Sequence, residues 1–349
     1  MKHLSLSRLA AGVLACTLGV SLTACGADTR WIASVGGEEI PAGIYVISQM
    51  QAVTEAQSSE DFDSTLTDIH ENVIDDKDFD TWVLDRAKEM VTEYAAIETM
   101  FDEEGLTLSD EDLESIDYYV ESMWSYYEEP YTEYGISKDS YTKYVTDQYK
   151  YTALFNARYG EGGSDEVSSD EVTDYLLEHY AVVQVLPFST IDSETGEAMD
   201  DTAKNDVYQT AKDYLKRAED GEAMEDLRLD LEKESASDPD SVEMDENDYL
   251  VTVKNGQSAT DISSDLSSAI FESAEEDTPV LLNDDSGYYV VLRYPATKIE
   301  ENYDTYKTDC LMGLKEDEFD EIVDEYAGTM DITFHDSAIK GLKLSKILE

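Results

Sequence analysis

Histidine and cysteine are scarce in this sequence of 349 residues, which contains four histidines and three cysteines. Two of the cysteines lie in or at the end of a predicted signal peptide, so Cys310 is the only free thiol and we expect no internal disulfide. After the signal peptide, the histidines are His70, His179 and His335. They are far apart in sequence and have no cysteine partners, which argues against a zinc site and a Ser-His-Asp triad.

Phosphate-binding and calcium-binding motifs are also missing. The sequence contains neither a Walker loop nor a GxGxxG turn, and the acidic stretch 238–248 lacks the spacing of a calcium loop. We therefore expect no cofactor and no bound metal.

Basic residues are few: 24 Lys and Arg face 81 Asp and Glu, which gives a formal net charge of -57. Such a chain is repelled by phosphate backbones, so we expect no nucleic-acid partner. Hydrophobic residues still make up 41% of the chain, which is enough for folded cores. The length favours two domains over one.

The first 24 residues have the pattern of an export signal. Lys2 and Arg8 precede an apolar run from Leu9 to Leu22 that contains no charge. The sequence Leu22-Thr23-Ala24-Cys25 that ends this segment resembles the lipobox of bacterial lipoproteins. The resemblance implies lipidation of Cys25 and a protein anchored in the cell membrane on its extracytoplasmic face. The alternative is an ordinary secretory signal that has a cysteine at its end by chance.

Helical patterns dominate the first half of the mature chain. A short extended run at 31–35 is followed by an apolar helix after Pro41, a polar loop over 56–78 and a helix over 82–101. Ser109, Ser137 and Ser168 each have an apolar residue directly before them and another apolar residue four positions after them. This pattern predicts helices that begin with a serine cap and a hydrophobic staple. We place these helices at about 109–128, 137–159 and 168–179.

The period changes from helical to extended at residue 181. A β-rich run at 182–188 is followed by helices near 203–218 and 224–233, and then by short extended pieces near 249–253 and 280–282. The turn Asp284-Asp285-Ser286-Gly287 predicts a hairpin with the strand 288–294. Beyond Pro295 an apolar helical stripe returns, and it needs a partner in the first half.

We therefore expect an α+β protein that is mainly helical and carries a small inserted α+β domain. The predicted segments are a signal peptide at 1–24, an N-terminal helical domain at 25–180, an inserted domain at 181–297 and a C-terminal helix returning at 298–349.

This layout resembles the PrsA and SurA family of extracytoplasmic foldases. Within 181–297, Val183-Gln184-Val185-Leu186 is similar to the first strand of a parvulin-type peptidyl-prolyl isomerase. The helix start at 221–227 is similar to the family's G-x-x-F-x-x-L-A motif, with Met224 at the Phe position. Residues 287–291 resemble the closing strand. The resemblance implies a parvulin-like domain inside a helical chaperone domain.

The family's two histidine positions are occupied by Gln184 and Tyr289. Its glycine-rich GGDLG turn is absent, and Met244-Asp245-Glu246-Asn247 stands near its place. We expect weak or no isomerase activity, because neither Gln nor Tyr reproduces a paired-imidazole site. The residues that could line a pocket are Gln184, Met224, Phe271 and Tyr289.

The first functional hypothesis is a membrane-anchored chaperone or foldase whose partners are unfolded or folding exported polypeptides. Tyrosine suits such a surface, because its ring contacts apolar side chains and its hydroxyl contacts polar backbone. Ten tyrosines in the first half are candidates: Tyr118, Tyr119, Tyr126, Tyr127, Tyr131, Tyr134, Tyr141, Tyr144, Tyr149 and Tyr151. The alternatives are an active parvulin-type isomerase and a solute-binding lipoprotein.

The lipidation hypothesis predicts that Cys25→Ser abolishes membrane attachment. Because the thiol would carry the lipid, we expect the variant to be released to the medium or to stay unprocessed. Fractionation of cells that express each form would measure this. A Cys25→Ser protein that is processed and retained like the original chain would contradict the hypothesis.

Overall fold

The computed structural model describes residues 31–193, 195–236, 238–242 and 250–348. The predicted signal peptide, Cys25 and Met244-Asp245-Glu246-Asn247 lie outside these ranges. The described chain is an α+β protein that is mainly helical, as the sequence predicts. None of its helices combines the length and the hydropathy that crossing a bilayer would require.

The first part of the chain contains four short strands and four helices. In chain order they are β1 (Trp31–Val35), β2 (Glu38–Pro41), α1 (Ala42–Ser58), β3 (Val73–Ile74), β4 (Lys77–Asp78), α2 (Phe79–Glu103), α3 (Asp110–Tyr134) and α4 (Lys138–Tyr159).

The second part contains the longer strands. It runs through α5 (Ser169–His179), β5 (Tyr180–Ser189), α6 (Asp201–Glu219), α7 (Met224–Ser235), β6 (Val251–Lys254), α8 (Ser264–Ser273), β7 (Val280–Asp284), β8 (Gly287–Arg293), α9 (Ala296–Glu300), α10 (Tyr303–Thr329), β9 (Ile332–Phe334) and α11 (Asp336–Ile339).

These elements form two compact units. Unit 1 comprises the described residues up to Leu154 and those from Val323 onward, and unit 2 comprises Phe155–Ile322. The chain thus leaves unit 1 once and returns to it. The sequence-based domain boundaries at 180/181 and 297/298 stay predictions.

In unit 1 a three-stranded sheet joins the two ends of the described chain. Its order is β2-β1-β9, and both neighbours of β1 are antiparallel to it. The β1–β2 turn uses Gly36 and Gly37 at φ 60 and 93, values that favour glycine. On the other side Ala33 pairs with Phe334, and the rings of Trp31 and His335 stack with centroids 4.2 Å apart.

The three predicted helix caps have the expected hydrogen bonds. At the start of α4, the Ser137 hydroxyl accepts from the Ser140 backbone N–H at 3.1 Å. At the start of α3, the Ser109 hydroxyl accepts from the Asp112 backbone N–H, and the Asp112 carboxylate accepts from the Ser109 N–H. Ser168 and Glu171 form the same reciprocal pair at the start of α5. Each cap satisfies backbone donors that the helix leaves free, which contributes about 1 kcal/mol.

Two local predictions need correction. The segment 56–78 is not only loop, because α1 extends to Ser58 and β3 pairs with β4 as a small hairpin. Helix α3 does not stop near 128 but continues through Pro130 to Tyr134, where Gly135 ends it at φ 93. The extra turn is held by packing, since Tyr131 and Tyr134 join the apolar cluster around Ile136 and Tyr141.

A buried carboxyl group lies in the helical core of unit 1. Asp147 on α4 is only 3% exposed and borders a cavity of about 140 Å3 between α1, α2 and α4. Its Oδ1 atom has no hydrogen-bond partner. Burial and, secondarily, the charge of Glu98 raise the pKa of Asp147 well above its usual range, although Lys150 opposes this.

Unit 2 contains a four-stranded antiparallel sheet in the order β6-β5-β8-β7. One face packs against α6 and α7 through Leu186, Phe188 and Val290. The other packs against α8 through Val183, Val185 and Val291. The strands at the centre are buried on both faces, which explains their nearly continuous apolar sequence.

Helix α10 begins in unit 2 and ends in unit 1. In unit 2, Phe319 packs edge-on against Phe155 at 5.5 Å between centroids, and Gly313 provides room for the Tyr175 hydroxyl. Cys310 is fully buried there, and burial followed by the charge of Asp309 raises the pKa of its thiol to about 11. In unit 1, the Tyr326 hydroxyl donates to Glu103 at 2.9 Å.

We predict that Asp147→Asn stabilises the protein at pH 8 by on the order of 1 kcal/mol. A carboxyl group whose pKa is raised by folding weakens the fold as pH rises above about 4, the value in the unfolded chain. The gain over the original chain should therefore shrink on acidification and vanish near that pH. Urea unfolding at several pH values would measure it.

The matched control is Asp139→Asn, which changes a well exposed carboxylate on the same helix. It should shift the unfolding free energy by no more than about 0.5 kcal/mol. A destabilised Asp147→Asn protein, or a gain that does not depend on pH, would contradict this account of Asp147.

Candidate functional site

Gln184 lies at the centre of β5 in unit 2 and is 1% exposed. Its Nε2 donates to Glu225 Oε1 at 3.2 Å, and its Oε1 accepts from the Tyr294 hydroxyl at 2.7 Å. Burial and the neighbouring Glu225 carboxylate raise the pKa of Tyr294 to about 12, so its hydroxyl stays a donor. Both ends of the Gln184 amide are therefore engaged within the fold.

Tyr289 lies on β8 and makes a different set of contacts. Its hydroxyl donates to Asp284 Oδ1 at 3.0 Å. The same carboxylate accepts from the Ser263 hydroxyl at 2.6 Å and from the Ser286 and Gly287 backbone N–H groups. Burial and this hydrogen bond raise the pKa of Tyr289 to about 12. The pKa of Asp284 is lowered because its four donors outweigh the effect of burial.

The register of the sheet places Gln184 and Tyr289 on opposite faces. Gln184 pairs with Leu292, whereas Tyr289 pairs with Pro187, three positions further along β5. Successive side chains alternate between the two faces of a strand, so an odd separation puts the two residues on different sides. They cannot form one paired site of the kind that the two family histidines would supply.

The four pocket candidates divide in the same way. Met224 belongs to the cluster on the α6–α7 face, which is also the Gln184 side. Phe271 packs with the cluster on the α8 face that contains Tyr289, and the Arg293 guanidinium lies 5.0 Å from the centre of its ring. The structure thus brings these residues together in two pairs and does not bring all four into one pocket.

Unit 1 has an exposed aromatic surface on α3 that could bind another molecule. We call this surface the α3 face. It consists of the exposed Tyr118, Tyr119 and Tyr126, which lie within about 100° of one another around the helix axis. Leu113 and Tyr127 are also exposed, but they lie on the side of the helix that carries Ile116 and Val120. Tyr118 and Tyr126 are 79% and 80% exposed, and they lie two turns apart, about 12 Å along the axis. Large aromatic side chains this exposed are typical of binding surfaces.

The opposite side of α3 explains why these tyrosines stay outside. Ile116 and Val120 are buried in a cluster with Val46, Ile47 and Val145 from α1 and α4. Trp124, Tyr131 and Tyr141 form a chain of ring contacts between 5.3 and 6.2 Å at its end. The stripe through Ile116 and Val120 therefore fills the core, and Tyr118, Tyr119 and Tyr126 fall beside or opposite it. Tyr127 lies on the continuation of the stripe and stacks on Tyr131 with 5.5 Å between ring centroids.

Helix α3 is also strongly acidic. Its sequence, DEDLESIDYYVESMWSYYEEPYTEY, contains acids at nine positions and no lysine or arginine. Glu121 is paired with Lys138 from α4 at 2.5 Å. The α3 face is therefore both aromatic and anionic.

Unit 1 also has a cleft of about 580 Å3 beside the β1–β2 hairpin and α2. Ile40, Pro41 and Ala95 contribute apolar wall, and the remaining lining includes Glu38, Glu39, Glu98, Asp102, Glu103 and Lys143. Within the described ranges, no three His, Cys, Asp or Glu side chains are arranged to hold a metal ion.

Sequence reasoning named the tyrosines but could not separate the exposed ones from those in the core. Of the ten candidates, Tyr141 is buried, whereas Tyr118 and Tyr126 are highly exposed. The signal that distinguishes them is the adjacent pairing of tyrosines two turns apart, because two neighbours on a helix cannot both face the core.

No protein-family model matches this chain, and no curated protein sequence matches it. Solved structures of PrsA foldases do match. The protein from Streptococcus pneumoniae is 16% identical, with 72% of this chain and 86% of that chain covered and a TM-score of 0.39. The protein from Lactococcus lactis is 13% identical, with 91% and 99% covered and a TM-score of 0.37. The protein from Bacillus subtilis is 16% identical, with 77% and 95% covered and a TM-score of 0.31. The chain is thus similar to PrsA foldases, the family that its sequence resembles.

Proposed function

We propose that this protein is an extracytoplasmic chaperone or foldase that holds exported polypeptides while they fold. The observation that carries the proposal is the α3 face, where Tyr118 and Tyr126 are held out of the core on a helix that packs through Ile116 and Val120. A fixed aromatic surface can bind many unfolded chains, because tyrosine offers a large contact area and loses little conformational freedom. The PrsA proteins to which the chain is similar are foldases.

The proposal includes attachment to the membrane through lipid on Cys25. Anchoring would keep the protein where exported chains emerge and start to fold. The support is the lipobox-like sequence Leu22-Thr23-Ala24-Cys25 after an uncharged apolar run.

The proposal further assigns 181–297 as a parvulin-like domain that has little or no isomerase activity. The resemblance of its strands is supported by a four-stranded sheet with helices on both faces. Low activity is supported by the two histidine positions, because Gln184 is bound to Glu225 and Tyr294 while Tyr289 lies on the other face. Neither side chain is placed to act together with the other on an X-Pro bond.

The chaperone proposal predicts that the mature chain suppresses aggregation of a denatured secreted protein and that Tyr118→Ser/Tyr126→Ser weakens this several-fold. Both side chains are highly exposed, so the double variant should unfold at the same urea concentration as the original chain. Light scattering during refolding of the client would measure the effect.

The matched control is Val73→Ser/Leu66→Ser, which removes two exposed apolar side chains of unit 1 outside α3. It should suppress aggregation as well as the original chain. No suppression by the original chain would contradict the chaperone proposal, and equal losses in the two double variants would contradict the role of the α3 face.

A second prediction concerns catalysis: Gln184→His/Tyr289→His does not gain prolyl isomerase activity. The two imidazoles would stand on opposite faces of the sheet, because the register offsets the two positions by three residues, an odd number. A proline-limited refolding phase takes tens to hundreds of seconds without a catalyst. Its rate should stay nearly unchanged in the presence of this variant and of the original chain. A large acceleration by either protein would contradict the proposal that this domain is catalytically weak.

A further inference from the structure

We propose that the α3 face selects basic segments of its clients, in which Lys or Arg alternates with apolar or aromatic residues. The inference rests on the proposed chaperone function and names the chemistry that the α3 face recognises. It is carried by three observations: the carboxylates beside the exposed tyrosines, the lack of cations along the helix, and the charge of the whole chain.

A carboxylate lies within one helical turn of each of the two most exposed tyrosines, Tyr118 and Tyr126. Tyr118 has Glu114 four residues before it and Glu121 three residues after it, and Tyr126 has Glu129 three residues after it. Residues three and four apart on a helix have Cβ atoms about 5 to 6 Å apart. A cation that lies over either tyrosine ring would therefore also lie within reach of a carboxylate.

Several of these carboxylates are available to a ligand. In the part of the chain that the structure describes, Glu121 is the α3 acid with an ion pair, to Lys138, and no cation lies within ion-pair distance of Glu114, Asp117 or Glu129. All three are exposed. Their charges are not compensated from within the helix, since it has neither lysine nor arginine.

A basic segment with apolar neighbours satisfies both components of this surface. Lysine and arginine bind over tyrosine rings through cation–π attraction, and their methylene stems cover apolar surface while the charged group reaches a carboxylate. The apolar neighbours would pack on the rings of Tyr118, Tyr119 and Tyr126, which are exposed. An acidic segment would meet like charge on both sides of residues 122–127, since the acids of α3 lie at 110–121 and 128–133.

The same charge argues against other occupants. A second copy of the chain would bring a face of the same sign, and each copy has a formal net charge of -57. The surface of an anionic bilayer would be repelled for the same reason. An unfolded basic segment is the partner whose charge and apolar surface both complement the α3 face.

The test compares three unstructured peptides that share their apolar and aromatic residues and carry Lys and Arg, Gln and Ser, or Glu at the remaining positions. Binding to the full mature chain, kept soluble by Cys25→Ser, is followed by fluorescence anisotropy of the labelled peptide. At about 0.05 M salt we expect the basic peptide to bind about ten-fold more tightly than the neutral one, and the acidic one more weakly still. The difference should shrink at about 0.5 M salt.

Two triple variants locate the site. Glu114→Gln/Asp117→Asn/Glu129→Gln removes charge from the α3 face, and it should bring the affinity for the basic peptide to within about three-fold of that for the neutral one. Glu38→Gln/Glu39→Gln/Asp102→Asn removes the same charge from the cleft in the same unit and should leave the preference nearly intact. The cleft variant also controls for the loss of total charge.

Equal affinity for the three peptides would overturn the proposed selectivity while leaving the chaperone function in place. A larger loss of preference in the cleft variant than in the α3 variant would also overturn it, because the cation would then bind in the cleft. Failure to bind any peptide, together with no suppression of aggregation, would instead overturn the proposed function on which the inference rests.

Discussion

The pairing of β1 with β9 is the contact on which unit 1 depends. Three residue pairs join Ala33, Ser34 and Val35 to Phe334, Thr333 and Ile332, at opposite ends of the described chain. The His335 N–H donates to the Ile32 carbonyl at 2.8 Å and prolongs the ladder by one bond. Without this pairing, β1 would keep only the short β2 as a neighbour, and the apolar cluster around Ile32 and Tyr45 would lose Phe334 and Ala338. Closing a loop of about 300 residues costs entropy that grows only slowly with length, so a few buried contacts at the ends can maintain it.

Features set by neighbouring residues could be predicted from the sequence. The capping boxes at Ser109 and Ser168 require only four consecutive residues each, and the hairpin at 284–287 requires a turn between two apolar runs. Features set by distant partners could not be predicted. The continuation of α3 past Pro130 depends on the cluster around Ile136, and the pairing of the short β9 with β1 joins residues at opposite ends of the described chain.

The candidate site shows the same limit more sharply. Gln184 and Tyr289 could each be placed on a strand, but whether they share a face depends on the register between β5 and β8. A shift of one residue in that register would move one of them to the other face of the sheet. The side chains are moreover held by groups distant in sequence, since Glu225 and Tyr294 bind Gln184 while Asp284 and its donors fix Tyr289. Strand patterns alone contain none of this information.

The negative charge of the chain explains how the tyrosines of α3 can stay exposed without causing self-association. A surface with Tyr118, Tyr119 and Tyr126 open to solvent would ordinarily promote self-association. On α3 these rings stand among uncompensated carboxylates, so two copies that approach through this helix repel one another before their rings can meet. The same charges leave the face accessible to a chain of opposite sign. An aromatic binding surface can thus stay exposed because the excess of 57 negative charges opposes the contact between copies that would otherwise cover it.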